Sequence, residues 1–184
     1  NTILHSQEDV VDVIAKQRLV FLIKHITPWL EPEQDLLIQS EVAKALAHLL
    51  PGMQDIYGEH WTQILSSVTA TWAQVDEDTI NERSIPLINA TLRLLHSLRK
   101  LSKSEDPNDD LVDALKDQEK QMFDGLLNLL KSTGGIPDDS HQPLIVTNDL
   151  LCRQLSQLPT KQIETLLEIE ELYPLMMTRS RAIQ

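Results

Sequence analysis

The residues of this chain that are best suited to chemistry are its six histidines and its single cysteine. No two histidines stand four residues apart, the spacing that places two zinc ligands on one face of a helix. One cysteine can form neither an internal disulfide nor a zinc site with several thiolates, and its leucine neighbours are typical of a buried thiol. We therefore predict no metal site from these side chains, which are His5, His25, His48, His60, His96, His141 and Cys152.

The most loop-like stretch, residues 132–142, holds a small polar group with metal-binding potential. Asp138 to His141 offers oxygen and nitrogen ligands but no repeated ligand spacing, and its composition is that of an ordinary solvated loop. Gly134-Gly135 lacks the spacing and the following lysine of a phosphate-binding loop. Nothing resembles a nucleophile elbow or a cysteine-protease signature. We assign no catalytic, cofactor-binding or metal-ligating residue, and whether the loop is functional stays open.

A glycosylation triplet, Asn89-Ala90-Thr91, is also present. It stands between two apolar stripes of a predicted helix, whereas a used acceptor needs an exposed loop. We interpret the match as chance.

Composition bounds the fold class. The chain has 184 residues, of which 41% are hydrophobic, 4% are aromatic and five are glycine, a composition that suits leucine-built helices better than sheets. No apolar run approaches the length of a membrane span, and there is no signal-peptide pattern. Because the chain begins with Asn1, we expect a segment of a longer protein. The prediction is an all-α protein without membrane association.

The charge of the chain argues against nucleic acid as a direct partner. Sixteen Lys and Arg residues stand against 28 Asp and Glu residues, a formal charge of −12, which repels phosphate backbones. The lone cysteine favours a reducing compartment, so we expect the cytosol.

The helices that would position any functional residue are best defined between Glu41 and Trp61. Apolar residues recur there at the three-and-four spacing of a helix with one buried face, and Pro51-Gly52 stops that helix. The same spacing restarts at Trp61 and continues to Val75. The two segments predict a helical hairpin with a buried stripe at Ile38, Val42, Ala45, Leu46, Leu49 and then at Trp61, Ile64, Leu65, Val68, Trp72, Val75.

Similar hairpins are predicted along the rest of the chain. A long first helix starts near Ser6 and ends at Thr27-Pro28, and Asp106-Pro107 is a candidate helix start. Between them a helical segment runs from about Ile80 to Leu101, with either a kink or a true start near Ser84 because Pro86 lacks a backbone donor. A polar turn at 117–120 interrupts a leucine stripe at Leu111, Leu115, Met122, Leu126 and Leu129. About seven helices result, in hairpins at 6–51, 59–102 and 107–158, with 160–184 starting a further repeat. This pattern favours a HEAT/armadillo-like α-solenoid; an irregular helical bundle is the alternative.

Large side chains on the stripes are candidates for packing between hairpins. Trp29, Tyr57, Trp61 and Trp72 could instead form a binding patch, because Trp and Tyr are favoured interface anchors. Each falls on a stripe or at a helix end, which favours packing. We predict that four residues transmit the geometry of the array mechanically: Trp61, Trp72, Leu95 and Leu126.

Two blocks carry a family resemblance. LLPGMQDIYGEHWTQIL, Leu49 to Leu65, and ELYPLMMTRSRAIQ, Glu171 to Gln184, resemble the HEAT/armadillo-type repeat region of the listerin family of RING-type E3 ubiquitin ligases, with a composition that suggests a fungal member. The resemblance implies an elongated arm between an N-terminal ribosome-contacting domain and C-terminal RWD and RING modules. It also implies a parent that ubiquitinates stalled nascent chains on 60S particles in ribosome-associated quality control.

The resemblance carries no catalytic residue into these 184 residues. A RING binds zinc through a set of Cys and His ligands, which one cysteine cannot supply, so zinc is expected only in the parent's RING. We expect a monomeric, non-catalytic spacer or scaffold whose protein partners, the 60S particle and quality-control factors, act through the parent. The alternatives are a protein-binding scaffold or transport-receptor-like adaptor, which a concentrated acidic or aromatic groove would favour, and, much more weakly, an enzyme with ionisable residues converging on one pocket.

Overall fold

The helices of the protein follow one another with short connections in a computed structural model that describes residues 2–50, 58–75, 79–134 and 142–168. Eight α-helices and one 3₁₀ helix lie in these ranges, and none of the described residues is in a strand. In chain order they are α1 (Thr2–Ile26), the 3₁₀ helix Thr27–Leu30, α2 (Leu36–Leu49), α3 (Gly58–Ala73), α4 (Ser84–Leu101), α5 (Asp109–Asp117), α6 (Glu119–Gly134), α7 (Gln142–Leu155) and α8 (Thr160–Glu168).

Helices that are not consecutive lie side by side. α2 packs against α4 and α4 against α7, while α3 packs against α5 and α6. These contacts place α2, α4 and α7 in one layer and α3, α5 and α6 in the other. The prediction of an all-α, α-solenoid-like array is confirmed. The HEAT type and the hairpin boundaries stay predictions, because 51–57 and 169–184 lie outside the described residues.

Of the kink and the true start that Pro86 left open near Ser84, the structure has the true start. The helix begins at Ser84, so the proline occupies its first turn, where backbone N–H groups have no intrahelical partner. Asn81 prepares this start, because its Oδ1 accepts from the backbone N of Arg83 at 2.9 Å and from that of Ser84 at 3.2 Å. The proline in the sequence and the hydrogen bonds of Asn81 therefore both favour a helix start at Ser84.

The predicted start at Asp106-Pro107 is wrong by two residues. α5 is capped by Asn108, whose side chain accepts from the backbone N of Leu111 at 2.9 Å. This cap leaves Asp109 and Asp110 in the first turn, where negative charge complements the helix dipole. The polar turn predicted at 117–120 is a complete helix break at Gln118, which explains why the described residues contain eight α-helices rather than about seven.

The predicted stripe of α2 is also partly wrong. Ile38 is 41% exposed, and the side that faces the core carries Gln39, Ser40, Ala43, Leu46 and Leu50. Gln39 can be buried because its side-chain amide is hydrogen-bonded: Nε2 donates to the backbone oxygen of Gln34, in the preceding turn, at 2.7 Å. A buried polar group with such a partner costs little, which allows Gln39 to lie on the buried side of α2.

Candidate functional site: the helix interface around Trp72

Trp72 on α3 lies where α3 meets both α4 and α6. Its side chain is 0% exposed, and its Nε1 donates a hydrogen bond of 2.8 Å to Oγ1 of Thr91 on α4. Thr91 is fully buried as well, and its hydroxyl lies 2.9 Å from the backbone oxygen of Leu87. The indole thus fills space between the two layers and fixes its polar edge to a helix of the other layer.

A glycine on α6 lets that helix approach Trp72 closely. A Cβ added to Gly125 would lie 3.0 Å from Cε3 of the indole and 3.3 Å from the Cβ of Trp72. The inner side of α6 therefore has no room for a larger residue at this position. The contact explains why a helix otherwise rich in leucine contains glycine in its interior, where glycine costs about 1 kcal/mol relative to alanine.

The carboxyl end of α3 is held by side chains of α6. Nδ2 of Asn128 donates to the backbone oxygens of Trp72 at 2.8 Å and Val75 at 2.6 Å, and the hydroxyl of Ser132 lies 3.3 Å from the second of these oxygens. Carbonyl groups in the last turn of a helix have no intrahelical partner. α6 therefore caps α3 from the side and fixes the angle between the two helices.

A second polar link joins α4 to α7 in the other layer. Nη1 of Arg99 donates to the backbone oxygen of Gln154 at 3.1 Å and to its Oε1 at 2.9 Å. Burial lowers the pKa of the Arg99 guanidinium, and the negative charge of Glu119 opposes that shift. Glu119 in turn accepts from Nε2 of Gln162 at 3.0 Å, so α6 and α8 are joined next to the same cation.

The four residues predicted to pack between hairpins all lie in one hydrophobic core. Trp61, Trp72, Leu95 and Leu126 are each 0% exposed and belong to the same cluster of buried side chains. Their mechanical role stays a prediction.

The two other aromatic residues that were predicted to pack between hairpins have different outcomes. Trp29 is 50% exposed, so its assignment to packing is wrong, and Tyr57 lies outside the described residues. Trp29 lies in the 3₁₀ helix that follows α1, and about half of its surface is accessible to solvent.

Three residues that connect the helices escaped the sequence analysis. Thr91 was noticed only as part of the glycosylation triplet, and its full burial supports the interpretation of that triplet as a chance match. Asn128 interrupts the leucine run LLNLLK, and a polar residue there is a usable signal for a buried hydrogen bond. Gly125, inside a predicted helix, is a signal for close helix contact.

The arrangement offers packing and hydrogen bonding rather than reaction chemistry. Among the described residues, no three His, Cys, Asp or Glu side chains form a group that could hold a metal ion, and no helix is long and apolar enough to cross a membrane. The polar group at 138–141 lies outside the described residues. Between α3 and α6 runs a groove of about 520 Å³, lined by Ser66, Thr69, Ala70, Ala73, Gln118, Gln121, Asp124, Gly125 and Asn128.

Comparison with known proteins supports the resemblance found in the sequence. No protein-family model matches the chain, and no solved structure matches it. The chain is similar to the E3 ubiquitin-protein ligase listerin of Neurospora crassa, with 27% identity over 174 residues, 93% of this chain. The aligned part spans 10% of the length of that ligase. The predicted similarity to a segment of listerin is thus confirmed.

Proposed function

We propose that this chain is a non-catalytic helical-array segment of an E3 ubiquitin ligase of ribosome-associated quality control. It acts as an elongated spacer and scaffold in the cytosol, and it positions ribosome-binding and RING modules for ubiquitination of stalled nascent chains. The similarity to listerin along 93% of the chain supports this assignment. Contacts with the 60S particle and with quality-control factors belong to the parent protein.

The observation that carries the spacer role is the bracing of α3 by two other helices. Trp72 is fixed to α4 through Thr91, and the end of α3 is capped by Asn128 of α6. In stacked arrays each unit contacts only its neighbours, so the angle at one interface determines where distant modules point. Directional bonds between layers restrict that angle more than apolar contact alone does.

Catalysis is assigned to other parts of the parent ligase. A RING module is built around zinc bound by sets of Cys and His ligands, and Cys152 is the single cysteine of the chain. No residue of the segment is therefore given a role in recruiting a ubiquitin-conjugating enzyme or in transferring ubiquitin.

The alternative, a protein-binding scaffold or transport-receptor-like adaptor, has less support. Such a scaffold would use a concentrated acidic or aromatic groove, whereas the groove between α3 and α6 contains one acidic residue, Asp124, and no aromatic side chain in its lining. Its lining of small and amide side chains offers few anchors for a partner, because binding energy concentrates in buried aromatic and arginine residues.

Replacement of the segment in the full-length ligase tests the proposal. One variant carries an unrelated helical array of the same length and curvature, and a second carries a flexible Gly/Ser chain of the same end-to-end span. The measurements are ubiquitination of nascent chains on purified 60S particles and substrate-independent ubiquitin-chain formation by the RING. A spacer predicts that the rigid replacement retains nascent-chain ubiquitination, that the flexible one loses it, and that both retain RING activity.

Two results would overturn the spacer role. Loss of nascent-chain ubiquitination with both replacements would favour the adaptor, because the surface of the segment would then matter as well as its rigidity. Ubiquitin transfer by the isolated segment, supplied with activating and conjugating enzymes, would contradict its non-catalytic character.

A further inference from the structure

A pocket of about 280 Å³ lies between α4, α5, α6 and α8, and we call it the Arg99 pocket. Its polar lining includes Arg99 from the end of α4, Lys116 from the end of α5, Glu119 from the start of α6 and Gln162 from α8. Apolar residues also line it: Val112, Leu115, Met122, Leu158 and Pro159. The volume is at the lower end of the range for ligand pockets, so it suits about one amino-acid residue rather than a long peptide.

The guanidinium of Arg99 makes only part of its hydrogen bonds within the described chain. Its Nη1 donates to the backbone oxygen and to Oε1 of Gln154, whereas Nε and Nη2 have no partner among the described residues. Glu119 is nearby, but no carboxylate of the described residues forms an ion pair with this guanidinium. Partly buried cations are usually paired, because burial removes their hydration. The unpaired Nε and Nη2 form one edge of a planar group that matches the two oxygens of a carboxylate.

A second polar group of the Arg99 pocket also lacks a partner. Nε2 of Gln162 donates to Oε1 of Glu119 at 3.0 Å. Oε1 of Gln162, in contrast, is buried and accepts no hydrogen bond in the described part of the chain. Buried carbonyl oxygens usually have a donor. The pocket therefore lacks one N–H donor at Gln162 as well as one acceptor pair at Arg99.

The charges of the lining suit a single carboxylate. Arg99 and Lys116 are positive and Glu119 is negative, so the lining has a net positive charge in a chain whose formal charge is −12. Lys116 lies 3.2 Å from Asp113, but the two side chains are 69% and 72% exposed, so solvent weakens that pair. A phosphate group has a charge of nearly −2 at neutral pH and would be repelled more strongly by Glu119.

We propose that the Arg99 pocket binds the carboxyl-terminal residue of a peptide whose last side chain is apolar. The terminal carboxylate pairs with Nε and Nη2 of Arg99, the N–H of the same residue donates to Oε1 of Gln162, and the side chain contacts the apolar wall. A terminal residue has all three groups on one Cα atom, whereas an internal Asp or Glu uses its side chain for the carboxylate and leaves the apolar wall without a contact. Capture of a terminal carboxylate is a recurring mode of peptide recognition. This binding is additional to the spacer role and does not depend on it.

Three small probes distinguish a terminal carboxylate from other groups. N-acetyl-leucine has all three groups, N-acetyl-leucinamide lacks the charge, and N-acetyl-aspartate with its main-chain carboxyl blocked as the N-methylamide carries the charge on its side chain. Each is titrated into the ¹⁵N-labelled 184-residue chain while NMR records the backbone amides and the Nε–H of Arg99. N-acetyl-leucine should shift the Arg99 signal with a dissociation constant of roughly 1–5 mM, as expected for a ligand of this size. The other two should bind at least about fivefold more weakly.

Three results of these titrations would overturn the proposal. Equal binding of N-acetyl-leucine and its amide would mean that the carboxylate is not recognised. Tighter binding of the blocked aspartate would mean that the pocket takes an internal acidic residue. An Arg99 signal that does not move with any probe up to tens of millimolar would mean that water alone completes the hydrogen bonds of Arg99 and Gln162.

A lysine variant tests the charge of the Arg99 pocket with little risk to the fold. Lys116→Gln, at an exposed position of α5, should weaken binding of N-acetyl-leucine by about threefold. Lys131→Gln makes the same change in charge at an exposed position of α6 that does not line the pocket, and it should leave binding unchanged. Equal weakening by the two variants would mean that only the overall charge matters, and it would contradict the proposed site.

An arginine variant tests the planar edge. Arg99→Lys keeps the positive charge but cannot pair with both oxygens of a carboxylate, so N-acetyl-leucine should bind at least about tenfold more weakly. Unchanged binding would overturn the proposal. Circular dichroism should show the same helix content as the unmodified chain. If Arg99→Lys unfolds because its bonds to Gln154 are lost, the comparison of Lys116→Gln with Lys131→Gln still decides the proposal.

Discussion

The middle of the described chain and its N-terminal corner both contain large apolar side chains, but these are buried in the middle and exposed at the corner. The corner is the set of exposed hydrophobic residues between positions 14 and 38: Ile14, Phe21, Leu22, Trp29, Leu36, Leu37 and Ile38. Around α3, α4 and α6, Trp61, Trp72 and the leucines are buried, and directional bonds from Thr91 and Asn128 tie the helices together. At the corner, Phe21, Trp29 and Leu37 are exposed. Apolar spacing alone therefore does not tell which helix faces are buried within the chain. In the middle region the buried faces are also the ones joined to neighbouring helices by side-chain hydrogen bonds.

The largest loss of stability should come from replacing a buried tryptophan of the middle region with alanine. Trp72→Ala should destabilise the fold by about 3–5 kcal/mol, because it leaves a large cavity and removes the partner of Thr91. Trp61→Ala should fall in the same range, since its side chain is also 0% exposed. Urea unfolding followed by circular dichroism gives the free energies.

Trp29→Ala is the matched control for the tryptophan exchange. Its ring is 50% exposed, so the truncation should cost less than about 1 kcal/mol. Equal losses for Trp29 and Trp72 would erase the contrast between the two regions. A loss within a few tenths of a kcal/mol for Trp61→Ala would show that this side chain is not part of the core.

The next effect concerns the close contact of α3 and α6. Gly125→Val should destabilise by about 2–3 kcal/mol, because its side chain would overlap the indole of Trp72 and overpacking forces a shift of the helices. The added Cβ alone would lie 3.0 Å from Cε3 of the ring. Gly125→Ala should cost less, since part of the strain is offset by the higher helix propensity of alanine.

A double variant separates the clash from propensity. In Trp72→Leu with Gly125→Val the larger residue gains space, so the two changes together should cost less than the sum of their separate costs. Strict additivity would mean that valine acts through its helix propensity and that the close contact plays no part.

The sequence allowed prediction of features that depend on local chemistry. Pro86 indicated a kink or a helix start near Ser84, where α4 begins. The spacing of Trp61 and Trp72 with their leucine neighbours predicted the apolar side of α3, because backbone donors and helical periodicity are properties of short segments. The outward position of Ile38 and the exposure of Trp29 could not be predicted this way. Both depend on which of two apolar sides meets another helix, and that is decided by residues distant in the chain.

The candidate site was predicted in part, for a related physical reason. Large residues such as Trp72 and Leu126 stand out by hydropathy, so their burial follows from periodicity. Gly125 and Asn128 act through contacts with Trp72 and Val75, and for Asn128 these partners lie 56 and 53 positions earlier in the chain. In the sequence these positions are only a glycine and an asparagine within a predicted helix. Their function requires the three-dimensional neighbour.

A smaller effect should follow from removing the side-chain cap of α3. Asn128→Leu deletes the hydrogen bonds to Trp72 in the last turn of α3 and to Val75 just after it, at a cost of about 1–2 kcal/mol. Gln121→Leu, an exposed position on the same helix, is the control and should change stability by no more than about 0.5 kcal/mol. Equal effects of the two would show that water replaces Asn128 without loss and that the cap does not brace the interface.

The smallest effect should come from the exposed ion pair on α2, next to the corner. Lys44 and Glu41 lie 2.7 Å apart, but their side chains are 47% and 63% exposed, so solvent screens the attraction. Lys44→Ala should lower the free energy of unfolding by less than about 0.5 kcal/mol, and alanine's helix propensity offsets part of that. The same unfolding measurement in low and high salt should give nearly equal values for the variant. A loss approaching that of Asn128→Leu would mean that surface charge stabilises the corner as strongly as buried hydrogen bonds stabilise the middle, and the contrast between the two regions would then rest on apolar exposure alone.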